Sequence, residues 1–231
     1  MQWLRILWQA VFGMDALHAC LALGPLAVYL LLIGMLNLSR RPFLVSGPRD
    51  AAALGLALSG FVIVGPIELC LPDAAAVRFG PYVWVLLIVF YGLCLVLALL
   101  LVRPRLIVYN TSAAQLRAVL ADLVGQLDAD ASWAGDVLVL PGLGVQLHLD
   151  HLAVMRNVSL TSVGGKQDPL GWHRLESALA TALSRAPIGR NARGAVLVAG
   201  GLLIILGLGY AVACDPQAVV QALFDMLRVQ K

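Results

Sequence analysis

Few residues in this chain have the chemistry for a site, and they fall in two places. His18 with Cys20, and Glu68 with Cys70, lie inside long apolar runs. Gln146, His148 and Asp150, with His151 and His173 further on, lie in a more polar middle stretch. A histidine and a glutamate at membrane depth can share a proton or hold a cation. An ionised side chain at the bilayer centre costs about 2.5–3.5 kcal/mol even on the gentler scales, so such residues are functional candidates by default. Near a span end that cost falls, and the plainer reading is a structural His–Glu pair or groups reaching for the headgroups. A metal is the weakest reading. His18 and Cys20, like Glu68 and Cys70, are two apart, and residues at that spacing do not share a helix face.

Two proline pairs bear on this candidate intramembrane site. Gly24-Pro25 and Gly65-Pro66 predict two broken helices facing each other, because proline removes a backbone donor and clashes with the preceding turn.

In the middle stretch, strand spacing puts His148 and Asp150 on one face with Gln146, and turns His151 away. This is a candidate binding surface, and a solvated sheet face is its ordinary reading. No Ser-His-Asp or Cys-His arrangement can be argued from chain order. Gly142-Leu143-Gly144 lacks the third glycine of a dinucleotide fingerprint and reads as a hairpin turn. Gly164-Gly165-Lys166 lacks the spacing of a phosphate loop. The sequence therefore assigns no catalytic, cofactor-binding or metal-binding residue, predicts no cofactor, and leans away from an enzyme.

The elements that must position these residues are set by composition. The chain has 231 residues, 61% of them hydrophobic and 13% charged, with a mean hydropathy of +0.89. A soluble domain carries about 25% charged residues. The deficit is concentrated in four apolar runs, at about 16–38, 51–71, 82–102 and 194–214. Each is about 21–23 residues long, or roughly 31–35 Å of helix, enough to cross a hydrocarbon core of about 30 Å. The first is too long for the apolar core of a secretory signal and ends in Ser39-Arg40-Arg41, not in a cleavage site. The net charge of +3, without basic runs, argues against a nucleic-acid partner. The four cysteines all fall in or beside the apolar runs and form no disulfide or zinc framework.

The predicted fold is thus a membrane protein with four transmembrane helices, split three and one around an inserted α+β domain. Residues 15–103 hold the first three spans, 104–187 the domain, and 188–214 the fourth span. Residues 1–14 and 215–231 read as amphipathic helices at the membrane surface, the second with Val219, Val220, Leu223, Phe224 and Leu227 on one stripe. Glycines in span four (Gly194, Gly200, Gly201, Gly207, Gly209) predict close packing against the other spans.

Within the insert the order reads strand, helix, three strands, helix: a two-layer sandwich. Leu106–Tyr109 is the first strand. Ser112 and Gln115 form a capping box ahead of a helix carrying Leu116, Leu120 and Leu123. Strands follow at Asp136–Leu140, at Val145–Leu149 and, after a turn at Asp150-His151, at Leu152–Ser162. A second helix covers about 170–185.

Orientation follows from basic residues. Arg40, Arg41, Arg49, Arg103, Arg105, Arg185, Arg190 and Arg193 fall on the insert side, against Arg5, Arg78, Arg228 and Lys231 on the other. The positive-inside rule then makes residues 104–193 cytoplasmic and both termini external, in a multi-pass cell (inner) membrane. The three Asn-x-Ser/Thr matches (Asn37, Asn110, Asn157) fall on or near the cytoplasmic side and are given no glycosylation role.

The functional expectation is a non-enzymatic membrane-anchored domain acting as a sensory, regulatory or assembly subunit. Its partners are the bilayer and a protein partner or a second copy. The alternative is a transporter or channel component using His18 and Glu68.

Overall fold

The computed structural model describes residues 15–39, 41–67, 80, 82–152, 157–165, 167–185 and 192–227. Residues 1–14, Glu68, Cys70 and the end of the second span lie outside them, as do residues 228–231. The chain divides into two compact units. One comprises Met1–Leu32, Ala52–Ala98 and Leu197–Lys231; the other comprises Ile33–Ala51 and Leu99–Val196.

The first unit is helical. Among the described residues, four helices are long and apolar enough to cross a membrane: Ala16–Leu38, Gly47–Pro66, Tyr82–Leu101 and Arg193–Cys214. The regular helices are α1 (Ala16–Leu38), α2 (Gly47–Val62) and α3 (Tyr82–Leu101). After the second unit come α6 (Arg193–Cys214) and α7 (Pro216–Leu227).

The two prolines behave differently, which corrects the expectation of a matched pair of broken helices. Pro66 sits in a π-type turn at Ile63–Ile67, where α2 loses its regular bonding. Helix α1 runs unbroken through Pro25. Pro25 has no N–H to return to the carbonyl of Leu21. That carbonyl faces Gly60, where a Cβ would come within 1.9 Å of it. The missing side chain lets α2 approach the exposed carbonyl, and close backbone contact of this kind stabilises α1 at the point the proline weakens.

Other contacts between the helices use the same device. A Cβ on Gly55 would strike Leu95, and one on Gly201 would strike Leu31 and the carbonyl of Ala27. Tyr91 donates its hydroxyl hydrogen to the carbonyl of Gly55 at 2.7 Å. Gly201 therefore packs as expected, whereas Gly200 and Gly209 face open space.

The second unit is built on a six-stranded antiparallel sheet. Its elements are β1 (Phe43–Ser46), β2 (Arg105–Tyr109), α4 (Ala113–Leu127), β3 (Ser132–Ala134), β4 (Val137–Leu140), β5 (Val145–Leu152), β6 (Asn157–Ser162) and α5 (Pro169–Arg185). The strand order is β1-β2-β6-β5-β4-β3. The Ser112–Gln115 capping box forms as its residues require. Leu116, Leu120 and Val124 of α4 and Leu175, Leu179 and Leu183 of α5 share one core with alternate strand residues: Leu106, Val108, Leu138, Leu140, Leu147, Val158 and Leu160.

Three features depart from the predicted order. The edge strand β1 comes from the stretch between α1 and α2, outside residues 104–187. Strand β3 adds a short second edge, held by Trp133 stacked under the Arg117 guanidinium at 5.1 Å and by the Arg117–Asp136 ion pair at 2.7 Å. No turn forms at Asp150-His151; β5 continues to Leu152 because β6 pairs Asp150 with Ser159 and His151 with Val158. The β4–β5 turn forms as predicted, with Gly144 in the left-handed region (φ 60°) that glycine adopts without strain.

Candidate functional site

The outer face of the sheet carries the polar residues. On β5, His148 Nε2 lies 3.1 Å from Asp150 Oδ1. The register places Thr161 opposite His148 and Ser159 opposite Asp150. Thr161 donates to Asp150 Oδ2 at 3.4 Å, and the Ser159 and Thr161 hydroxyls are 3.3 Å apart. Both His148 and Thr161 therefore converge on one carboxylate. In a nucleophile–base–acid relay the hydroxyl would bond the imidazole instead.

Gln146 belongs to the same strand but to a different structure. Its backbone N–H donates to Gln167 Oε1, and its carbonyl accepts from Gln167 Nε2, both at 3.2 Å. Gln167 also accepts from the Trp172 indole at 2.9 Å. That ties the loop ahead of α5 to the sheet. His173 is exposed on α5.

One strand further along, the polar row continues into residues the sequence reading did not single out as a site. Arg105 of β2 is opposite Thr161. Its guanidinium reaches Asp50, in the first turn of α2, at 3.6 Å. Tyr109, on the same face of β2, donates its hydroxyl hydrogen to Asp50. Gly47 admits the Arg105 side chain, which a Cβ there would meet at 2.1 Å. A carboxylate in a first helical turn is also favoured by the helix dipole. Asp50, Arg105 and Tyr109 thus join the start of an apolar helix to the second strand of the sheet.

A second link lies at the other end of β2. Asn110 is fully buried in the left-handed conformation (φ 62°), which asparagine tolerates better than most residues. Its side-chain amide donates to the carbonyl of Ser39, just past α1, at 2.6 Å. Its backbone N–H donates to Asn157 Oδ1. Asn37 is likewise buried and donates to the Ile33 carbonyl at 2.9 Å. Two of the three Asn-x-Ser/Thr asparagines are therefore interior residues, and the third bonds one of them. Their sequence signal was a modification motif; in the structure Asn110 joins the residue just past α1 to β2 and, through Asn157, to β6, while Asn37 bonds within α1.

At the other candidate site, His18 lies on α1 with Nδ1 3.9 Å from the exposed carboxylate of Asp15. Cys20 is half-buried and unbridged, and the exposed Cys94 and Cys214 are unbridged too. Glu68, the expected partner of His18, and the nearby Cys70 lie outside the described residues. Among the described residues there is no group of three or more His, Cys, Asp or Glu able to hold a metal ion.

Comparison with protein-family models, with curated proteins and with solved structures finds no significant match for this chain.

Proposed function

We propose that this is a non-enzymatic integral membrane protein in which the cytoplasmic α+β domain serves as a sensory, regulatory or assembly element. The observation that carries the reading is β1. An edge strand of the domain's sheet is a four-residue segment that runs directly into apolar helix α2 and is separated from the end of α1 by four residues. A partner seated on the sheet acts on strands whose neighbour continues into two spans. The Asp50 bonds to Arg105 and Tyr109 and the Asn110 bond to Ser39 brace that connection at both ends.

The surface for such a partner is the row His148, Asp150, Ser159 and Thr161. Its chemistry is hydrogen-bonding and one carboxylate–imidazole pair, which fits a polar peptide or protein surface. The arginine distribution supports a cytoplasmic placement of the domain.

The test is purification of the intact protein from native membranes in a gentle detergent, wild type beside a His148→Ala/Asp150→Ala double variant. A stoichiometric protein retained by the wild type and lost by the variant is the expected result. A clean preparation without a partner in both would contradict the reading.

A further inference from the structure

Helix α7 presents three distinct longitudinal stripes. Val219, Ala222 and Met226, at spacings of three and four, are half-buried against the helical unit. Gln217, Gln221 and Asp225, at spacings of four, are exposed and polar. Between these lie Val220, Leu223 and Phe224, apolar yet 51%, 41% and 39% exposed. A helix on a protein surface in water needs only two faces, one apolar toward the core and one polar outward. A third, apolar and outward, needs a third medium.

The placement of α7 indicates which medium. Helix α6 ends at Cys214, and Asp215 starts α7 by accepting the Ala218 N–H at 3.1 Å, with Pro216 at the first helical position. One residue therefore separates a span-length apolar helix from α7. At its other end α7 is fixed by Trp84, in the first turn of α3, whose indole N–H donates to the Met226 carbonyl at 3.0 Å. That carbonyl lies in the last turn of α7, where carbonyls have no partner within the helix. Beside Trp84, the outward residues of α3 are Tyr82, Val85 and Leu86, all strongly exposed, and in the last turns of α6 they are Leu206 and Tyr210. The two ends of α7 are therefore held at the ends of two span-length helices whose exposed residues there are apolar or aromatic.

We infer that α7 is a fixed interfacial helix whose Val220–Leu223–Phe224 stripe is immersed in the lipid acyl boundary while Gln217, Gln221 and Asp225 face water. The occupant is the bilayer itself. The stripe carries no charge, so burial of apolar area drives the contact and anionic headgroups are not required. This inference does not rest on the proposed role of the sheet domain.

The test uses the full chain in phosphatidylcholine vesicles. With Cys20, Cys70, Cys94 and Cys214 replaced by serine, a nitroxide is attached in turn at Val219→Cys, Val220→Cys, Gln221→Cys and Leu223→Cys. Collisions with oxygen, which concentrates in hydrocarbon, are compared with those of a water-soluble nickel chelate. The oxygen-to-chelate ratio is expected to be severalfold higher at positions 220 and 223 than at 221, with position 219 shielded from both. Equal ratios at 220, 221 and 223 would overturn the inference by placing the helix in water. Shielding of 220 and 223 from both reagents would overturn it by showing protein on that face, and dipolar broadening would identify that protein as a second copy. Val220→Trp with the native cysteines retained gives an independent readout. Lipids brominated in the upper acyl chain should quench the added fluorescence, and absence of that extra quenching would equally overturn the inference.

Discussion

The two units bury opposite kinds of residue. In the sheet unit the deepest side chains are large: Leu116, Leu120, Leu138, Leu140, Leu147, Leu160, Leu175 and Leu179 are all at 0% exposure. In the helical unit the deepest are small. Ala19, Ala22, Ala27 and Ala57 are at 0–2%, while Leu86, Leu97 and Leu203 are at 60–70%. The sheet unit follows the rule for water, where removing apolar area from solvent contributes about 25 cal/mol per Å². That force vanishes between helices when the solvent is as apolar as leucine. Association then depends on close backbone approach, which alanine and glycine permit. The contrast teaches that one chain uses two packing rules, and the second is the one that suits helices long and apolar enough to cross a membrane.

The comparison can be broken most directly by reversing one rule in each unit. Leu160→Ala in the sheet core should cost about 2–5 kcal/mol, read as a large fall in the domain's thermal midpoint in detergent. A loss under a kilocalorie would mean the core is not packed as described. In the helical unit the sensitive change is the opposite one, small to large. Gly60→Val drives a side chain into the Leu21 carbonyl, and overpacking of this kind costs about 1–3 kcal/mol. Size-exclusion stability in detergent should fall with it. Asp50→Ala, which strands Arg105 and Tyr109, should cost about 1–3 kcal/mol. Raised protease sensitivity between α1 and α2 would report it, and Asp50→Asn should retain part of the loss. Smallest of all, Leu86→Ala on the exposed surface of α3 should shift stability by no more than about 0.5 kcal/mol. The same substitution type in the sheet core is the matched control.

Much of this contrast was legible in the sequence. Apolar runs of span length are long-range signals, and three of the four expected spans begin and end within a residue of α1, α3 and α6. The Ser112 capping box and the Gly144 turn were legible because their chemistry is local. The missed elements depend on distant partners. Phe43–Ser46 has no turn signal or period long enough to stand out, and only its ladder with Leu106–Tyr109 makes it a strand. Asp150-His151 has turn composition, yet pairing with β6 holds it extended. The same holds for the site. His148 and Asp150 were legible from strand alternation, and the β6 polar positions could have been. Asp50 and Arg105 read as helix-flanking charges, because nothing local announces that they meet.

The central claim is that β1 joins the domain's sheet and ties it to two span-length helices. Disulfide trapping tests it in native membranes, using otherwise cysteine-free protein with Leu44→Cys/Val108→Cys and, separately, Val45→Cys/Ile107→Cys. Both are register partners, and neighbouring antiparallel pairs alternate between close and wide spacing, so one of the two should close readily under mild oxidation. Rapid closure of one pair, with Val45→Cys/Leu106→Cys remaining open, is the predicted result. If neither partner pair closes while a β4–β5 control such as Leu138→Cys/Leu147→Cys or Val139→Cys/Gln146→Cys does, β1 is not in the sheet and the proposed link between domain and spans fails.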